Sequence, residues 1–194
     1  PYYRTSPFGG DRHYHVFQAA HYGQWDSLLE NTKKALEDRT KGMSEFGFQT
    51  PCTMQSWQKI LPQEECELWP PNENSVFVYR TATGQTGNTN IMDTYAKQFL
   101  NPTNLSELIK GSYIVQSLVN KFCIDPLRSR KPDTTLAYVY KISNDYPGCS
   151  WTLIDYYGYP KRGYYTLKQC FEPVHALAVF TSLDSKDGKL PIKF

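Results

Sequence analysis

Long apolar runs are missing from these 194 residues, and so are clusters of cationic side chains. No run approaches the roughly 18 residues that a membrane span needs, and no signal-like apolar segment opens the chain. No membrane partner is therefore expected. A net charge of +2 without a Lys/Arg run lacks the clustered cations that bind phosphate backbones, which argues against a nucleic-acid partner. Cysteine is sparse and scattered. Cys52, Cys66, Cys123, Cys149 and Cys170 form no C-x-x-C pair and have no histidine in a ligand pattern, so a structural zinc is not expected. Their odd number leaves at least one thiol free, and the compartment stays open between secreted, periplasmic, lysosomal and cytoplasmic. No cofactor or metal is expected from the sequence.

Aromatic residues, by contrast, make up 15% of the chain, led by 15 tyrosines. Most belong in a core, but a tyrosine joins an apolar face to a polar tip, which suits sugar-lined clefts as well as protein interfaces.

Local patterns alternate helix and strand. Trp25, Leu28, Leu29, Thr32 and Leu36 recur at helical spacing, and Gly42 ends that helix. A second helix begins at Asn104, an N-cap with Glu107 at N3, and carries a stripe of Leu105, Leu108, Ile109, Val115, Leu118, Val119 and Phe122. Asn104-Leu105-Ser106 is also a glycosylation sequon, although capping alone accounts for the asparagine. Thr134 to Ile142 has the β-branched and aromatic content of a buried parallel strand. Between these elements, 61–74 with Pro62, Pro70 and Pro71 is expected to be a long irregular insert. After Pro173 the pattern turns to alternation, with an Asp187-Gly188 turn between two short strands.

Within Met43-Ser44-Glu45-Phe46-Gly47-Phe48-Gln49-Thr50-Pro51 a single carboxylate interrupts an apolar, strand-like run. An unpaired buried carboxylate is costly. Glu45 therefore belongs at a strand end in a polar pocket or on an edge facing water, and the segment alone leaves both open.

Taken with Ser44-Glu45-Phe46-Gly47-Phe48-Gln49, the stretch from Leu136 through Tyr140, Ser143, Asn144, Pro147 and Ser150-Trp151 resembles the second half of the catalytic barrel of glycoside hydrolase family 2, particularly its β-mannosidase and exo-β-glucosaminidase branches. Upstream, Pro1 to Gly10 is similar to the fifth strand and its loop, and Gly10-Asp11-Arg12-His13-Tyr14-His15 to the sixth. The resemblance implies an α/β fold: strands 5 to 8 of a (β/α)8 TIM barrel over 1–172, then the start of an immunoglobulin-like β-sandwich over 173–194. It further implies a retaining, exo-acting β-glycosidase for β-mannosides, glucosaminides or galactosides, with Glu45 as nucleophile and His13, Tyr14, Tyr140 and Asn144 lining the sugar site. Trp151 and the Tyr156-Tyr157-Gly158-Tyr159-Pro160 cluster read instead as packing anchors.

The family's acid/base belongs to an Asn-Glu pair on the fourth strand, which would precede Pro1; Asn72-Glu73 follows the nucleophile and does not fit that role. The chain is thus expected to be a fragment, inactive alone, whose partners are a carbohydrate substrate and the remainder of its own polypeptide. Departures from the pattern are specific: Tyr140 and His15 replace tryptophans, while Ser143 and Asn144 stand for Asn and Asp. These changes keep a second reading in view, a catalytically inactive, carbohydrate-binding relative.

Overall fold

The computed structural model describes residues 42–81, 92, 96, 97, 99–177, 179–180 and 192–193. The strands expected within 1–15, the helix of 25–36, the candidate site residues His13 and Tyr14, and the Asp187-Gly188 turn lie outside the described residues.

Strand β1 (Gly42–Phe46) pairs in parallel with β2 (Leu136–Val139). Parallel neighbours need a crossover, and its largest element is helix α4 (Leu105–Arg128). Among the described residues, the shorter helices α1 (Met54–Trp57), α2 (Gln63–Glu67) and α3 (Val76–Thr81) come before it. Helix α5 (Arg162–Cys170) follows β2 and packs along α4. Beyond it the short strands β3 (Val179–Phe180) and β4 (Ile192–Lys193) pair antiparallel. The described part is therefore α/β, with a small parallel sheet and helices.

Helix α4 starts where its cap dictates. The Asn104 side chain accepts from the Glu107 amide at 3.0 Å, satisfying one of the donors that a helix start orphans. Glu107 reaches back one residue further than a simple capping box, to the Thr103 amide at 2.8 Å and its hydroxyl at 2.9 Å. These bonds, led by the Thr103 amide, hold the Glu107 carboxyl below its usual range. The apolar stripe runs past Phe122 through Cys123, Ile124 and Leu127, and the helix carries Pro126 within its last turn.

Two cores result. One joins Met43, Phe46 and Phe48 from the β1 segment to Val115, Val119, Phe122 and Leu127 of α4 and Leu167 of α5. The other gathers Cys52, Trp57, Leu61 and Phe77 against Leu105, Leu108 and Ile109 at the start of α4.

Two expectations change. The 61–74 insert is not wholly irregular, because α2 forms within it; Glu65 of that helix then accepts from the Val76 and Phe77 amides, capping α3. The strand expected over 134–142 narrows to four residues, with Tyr138 and Ile142 exposed. Among the described residues β2 has β1 as its sheet neighbour, so it is half-buried rather than covered on both faces.

Candidate functional site

Strict alternation would put Met43 and Glu45 on one face of β1. The register against β2 breaks between Met43, opposite Ala137, and Phe46, opposite Val139, which inserts an extra residue into β1. Both Met43 and Phe46 consequently enter the core beneath α4, while Glu45 is left only partly buried at the strand's carboxyl end. A bulge used in this way re-aims a side chain beside a site.

Tyr140 follows β2 directly, and its amide donates to the Phe46 carbonyl at 2.6 Å, bringing the two strand ends side by side. The residue is 41% exposed, and its ring meets Trp151 edge-on, with centroids 6.1 Å apart. The Tyr140–Lys141 peptide is cis. Gly47 makes this approach sterically feasible, since a Cβ there would overlap the Tyr140 carbonyl oxygen. Gly47→Ala is accordingly expected to lose about 1–3 kcal/mol of stability, the usual range for overpacking, with a lower urea midpoint and a changed Trp151 fluorescence; an unchanged midpoint would contradict the contact.

Asn144 is engaged within its own loop. Its amide donates to the Tyr146 carbonyl at 2.9 Å, and the Ser150 hydroxyl donates to its side-chain oxygen at 3.5 Å. Below that loop, Thr50 and Ser150 exchange backbone bonds of 3.0 and 2.9 Å across an antiparallel bridge. Gln116 on α4 donates to the Phe48 carbonyl at 3.0 Å and the Thr152 carbonyl at 3.2 Å, tying both segments to the helix.

Two buried charges complete this floor. Asp155 accepts from the Thr53 amide and hydroxyl, the Ser56 hydroxyl, and the Tyr157 and Tyr159 amides. Burial by itself would raise its pKa, but these bonds, led by Ser56, hold the carboxyl below the usual range. Gly158 closes the turn around it with φ 85, a conformation natural to glycine. Lys59 lies over the Tyr157 and Tyr159 rings at 4.6 and 5.0 Å, so this tyrosine cluster serves as a packed turn.

Lys161, fully buried, donates to the Thr50 hydroxyl at 3.1 Å and to its carbonyl at 3.4 Å. Burial lowers its pKa to about 8. An unfolded lysine titrates near 10.4, so between about pH 8 and 10.4 the folded state releases this proton first and the contribution of Lys161 to stability rises with pH. The buried Cys52 and Cys149 thiols, pushed up by desolvation, give the opposite slope. The difference between wild type and Lys161→Met, followed by urea unfolding across that range, isolates the lysine and is expected to increase with pH; a flat difference would contradict the assignment.

Nucleophilic thiol chemistry is disfavoured here, because burial moves Cys52 to about 12 and leaves it protonated at neutral pH. Asn72-Glu73 sits in an exposed turn, where the Asn72 side chain accepts from the Asn74 amide at 2.9 Å. Trp57 is wholly buried against Phe77, at 4.8 Å between centroids, and acts as a loop anchor.

Of the residues anticipated from sequence, Glu45 and Tyr140 therefore occupy neighbouring strand ends, Asn144 shapes the adjoining loop, and His13 and Tyr14 lie outside the described residues. Trp151, taken as a packing anchor, stands at the same place as Tyr140. Asp155 caps its own Tyr157–Tyr159 turn locally, but its Thr53 and Ser56 partners, and the Thr50 partner of Lys161, are 99 to 111 residues away in sequence and gave no local signal.

A scan against protein-family models finds no match, and a search of curated proteins finds none either. Solved structures do match. A β-D-mannosidase from Dictyoglomus thermophilum aligns with 99% of this chain at 24% identity and a TM-score of 0.67. An exo-chitosanase from Amycolatopsis orientalis aligns with 72% at 17% identity and 0.54, and a complex of that exo-chitosanase with PNP-β-D-glucosamine with 89% at 14% and 0.59. The chain spans 22% of the mannosidase and 17 to 20% of the exo-chitosanase chains. At these identities the likeness is one of fold.

Proposed function

We propose that this chain contributes the nucleophile half of a retaining, exo-acting β-glycosidase of the glycoside hydrolase family 2 type, acting on β-mannosides or on related β-glucosaminides or β-galactosides. The observation that carries this reading is the bulged end of β1, which leaves Glu45 partly buried next to Phe46, the residue whose carbonyl accepts from the Tyr140 amide, at the carboxyl ends of two parallel strands, where barrel enzymes build their sites. In this reading 1–172 is the second half of the barrel, and 173–194 begins a β-sandwich. The rest of the polypeptide supplies the acid/base.

Retaining hydrolysis uses two carboxyl groups about 5–5.5 Å apart. Glu45 attacks the anomeric carbon while the acid/base protonates the departing oxygen, giving a glycosyl ester and a free alcohol. Water, deprotonated by the same acid/base, then releases the sugar with its original anomeric configuration. Tyr140 offers a ring for the C–H face of the sugar. Asn144 contacts hydroxyls, and His13 and Tyr14 donate toward the Glu45 carboxylate.

Hydrolysis of aryl β-mannoside, β-glucosaminide and β-galactoside by the full-length protein, with the first-formed anomer identified by NMR, tests the proposal; inversion, or no turnover of any of the three, would overturn it. One observation favours a second reading, an inactive sugar-binding relative. Asn144 is neutral and its amide is committed within its loop, so the charge-assisted bonds that a carboxylate would make to hydroxyls are lost. Sugar binding by calorimetry without turnover would select that reading.

A further inference from the structure

Away from the strand ends, three side chains of different metal-binding chemistry converge where α4, α5 and the segment after α5 meet. Ligand atoms of Asp125, Cys170 and His175 all lie within 4.8 Å of one another, with Asp125 and Cys170 buried and His175 half-buried. His175 Nε2 is 3.0 Å from Asp125 Oδ1, and Lys121 Nζ is 2.6 Å from the other carboxylate oxygen. We infer that Asp125, Cys170 and His175 form a zinc site that pins the segment following α5 to the end of α4.

The geometry requires little movement. Donors held about 2.0–2.3 Å from a tetrahedral zinc are roughly 3.3–3.6 Å apart, between the 3.0 Å already present and the 4.8 Å limit of the cluster. One nitrogen, one sulfur and one oxygen make a donor set typical of a borderline-soft divalent ion. Without metal, the Cys170 thiol carries a proton beside the Asp125 carboxylate. Zinc takes the place of that proton, which passes to solvent, and thiolate and carboxylate together neutralise the ion. Lys121 keeps Asp125 Oδ2 and so orients Oδ1 toward the cluster, as outer-shell partners of ligating carboxylates do. Water would complete a four-coordinate set, as in zinc sites with three protein ligands.

Cysteine spacing pointed away from zinc because Asp125 comes from a helix 50 residues before His175. Arg128, one turn beyond Asp125, strengthens the same junction by donating to the carbonyls of Cys170, Glu172 and Pro173. A cavity of about 230 Å³ opens beside it, lined in part by Arg128, Phe171 and Pro173 at the amino end of β2, the end opposite Tyr140.

Chelator-stripped protein should bind one equivalent of Co²⁺, with a thiolate-to-cobalt charge-transfer band in the near ultraviolet and the intense visible bands of a tetrahedral ion, all displaced by Zn²⁺. Cys170→Ser should abolish the charge-transfer band and weaken Zn²⁺ binding by about a hundredfold or more; His175→Gln should weaken it comparably, with far-ultraviolet circular dichroism confirming that both variants fold. No saturable cobalt binding, binding without a thiolate band, or a band that survives Cys170→Ser would overturn the site. None of these outcomes depends on glycosidase turnover.

Discussion

On the proposed function, Glu45→Gln in the full-length protein should lower turnover of an aryl β-glycoside by at least about a thousandfold, or about 4 kcal/mol of transition-state stabilisation, while sugar affinity changes only a few-fold. The amide keeps the shape of the side chain but cannot form the glycosyl ester. Glu45 is half-buried at the end of β1, next to the residue whose carbonyl holds Tyr140, so substitution there should leave the two cores intact. A 2-deoxy-2-fluoro β-glycoside with a good leaving group sharpens the experiment. Its electronegative substituent destabilises oxocarbenium-like transition states, and with a reactive leaving group the intermediate forms faster than it hydrolyses. Peptide mapping by mass spectrometry should then find the label on Glu45. A label on another carboxylate would mean that β1 does not carry the nucleophile.

The second large effect is on stability. Asp155→Ala should cost about 3–5 kcal/mol, because the two Thr53 donors, the Ser56 hydroxyl and the Tyr157 and Tyr159 amides all lose their acceptor and a buried donor left unsatisfied costs about 1–3 kcal/mol. Asp155→Asn should recover only part of this loss, since the amide presents donors to groups that are themselves donors. The linkage has a definite sign. The folded pKa lies below the unfolded value of about 3.9, so the contribution is fully present above that value and is lost as pH falls through the folded pKa. In urea titrations wild type should therefore weaken in acid more steeply than Asp155→Ala. Parallel pH profiles would show that the carboxylate is not what holds the Thr53 turn to the Tyr159 turn.

Local rules anticipated several elements well. The Asn104 cap and the stripe of α4 were legible because capping and helical periodicity act within a few residues. The strand character of the Glu45 segment was legible from its apolar pattern, as were two short strands after Pro173, although β3 begins only at Val179. The extent of β2 was overestimated, because burial on both faces depends on neighbours that Thr134 to Ile142 does not itself specify. Helix α2 was hidden by the flanking prolines: it has no side-chain cap bond and is held by Glu65 bonding forward to α3.

Sequence alone determined the order of strand, helix and strand across β1, α4 and β2, the start of α4, and the presence of one carboxylate in an apolar strand. Tertiary structure decided how that carboxylate is presented, through a register break visible only against β2. It also decided the companions of Asp155, of Lys161 and of Asp125. Helical and strand periods record whether a residue faces a core; they carry no information about which distant polar group will be buried opposite it. A buried charge must nonetheless find partners, and here the chain closes over 50 to 111 residues to supply them.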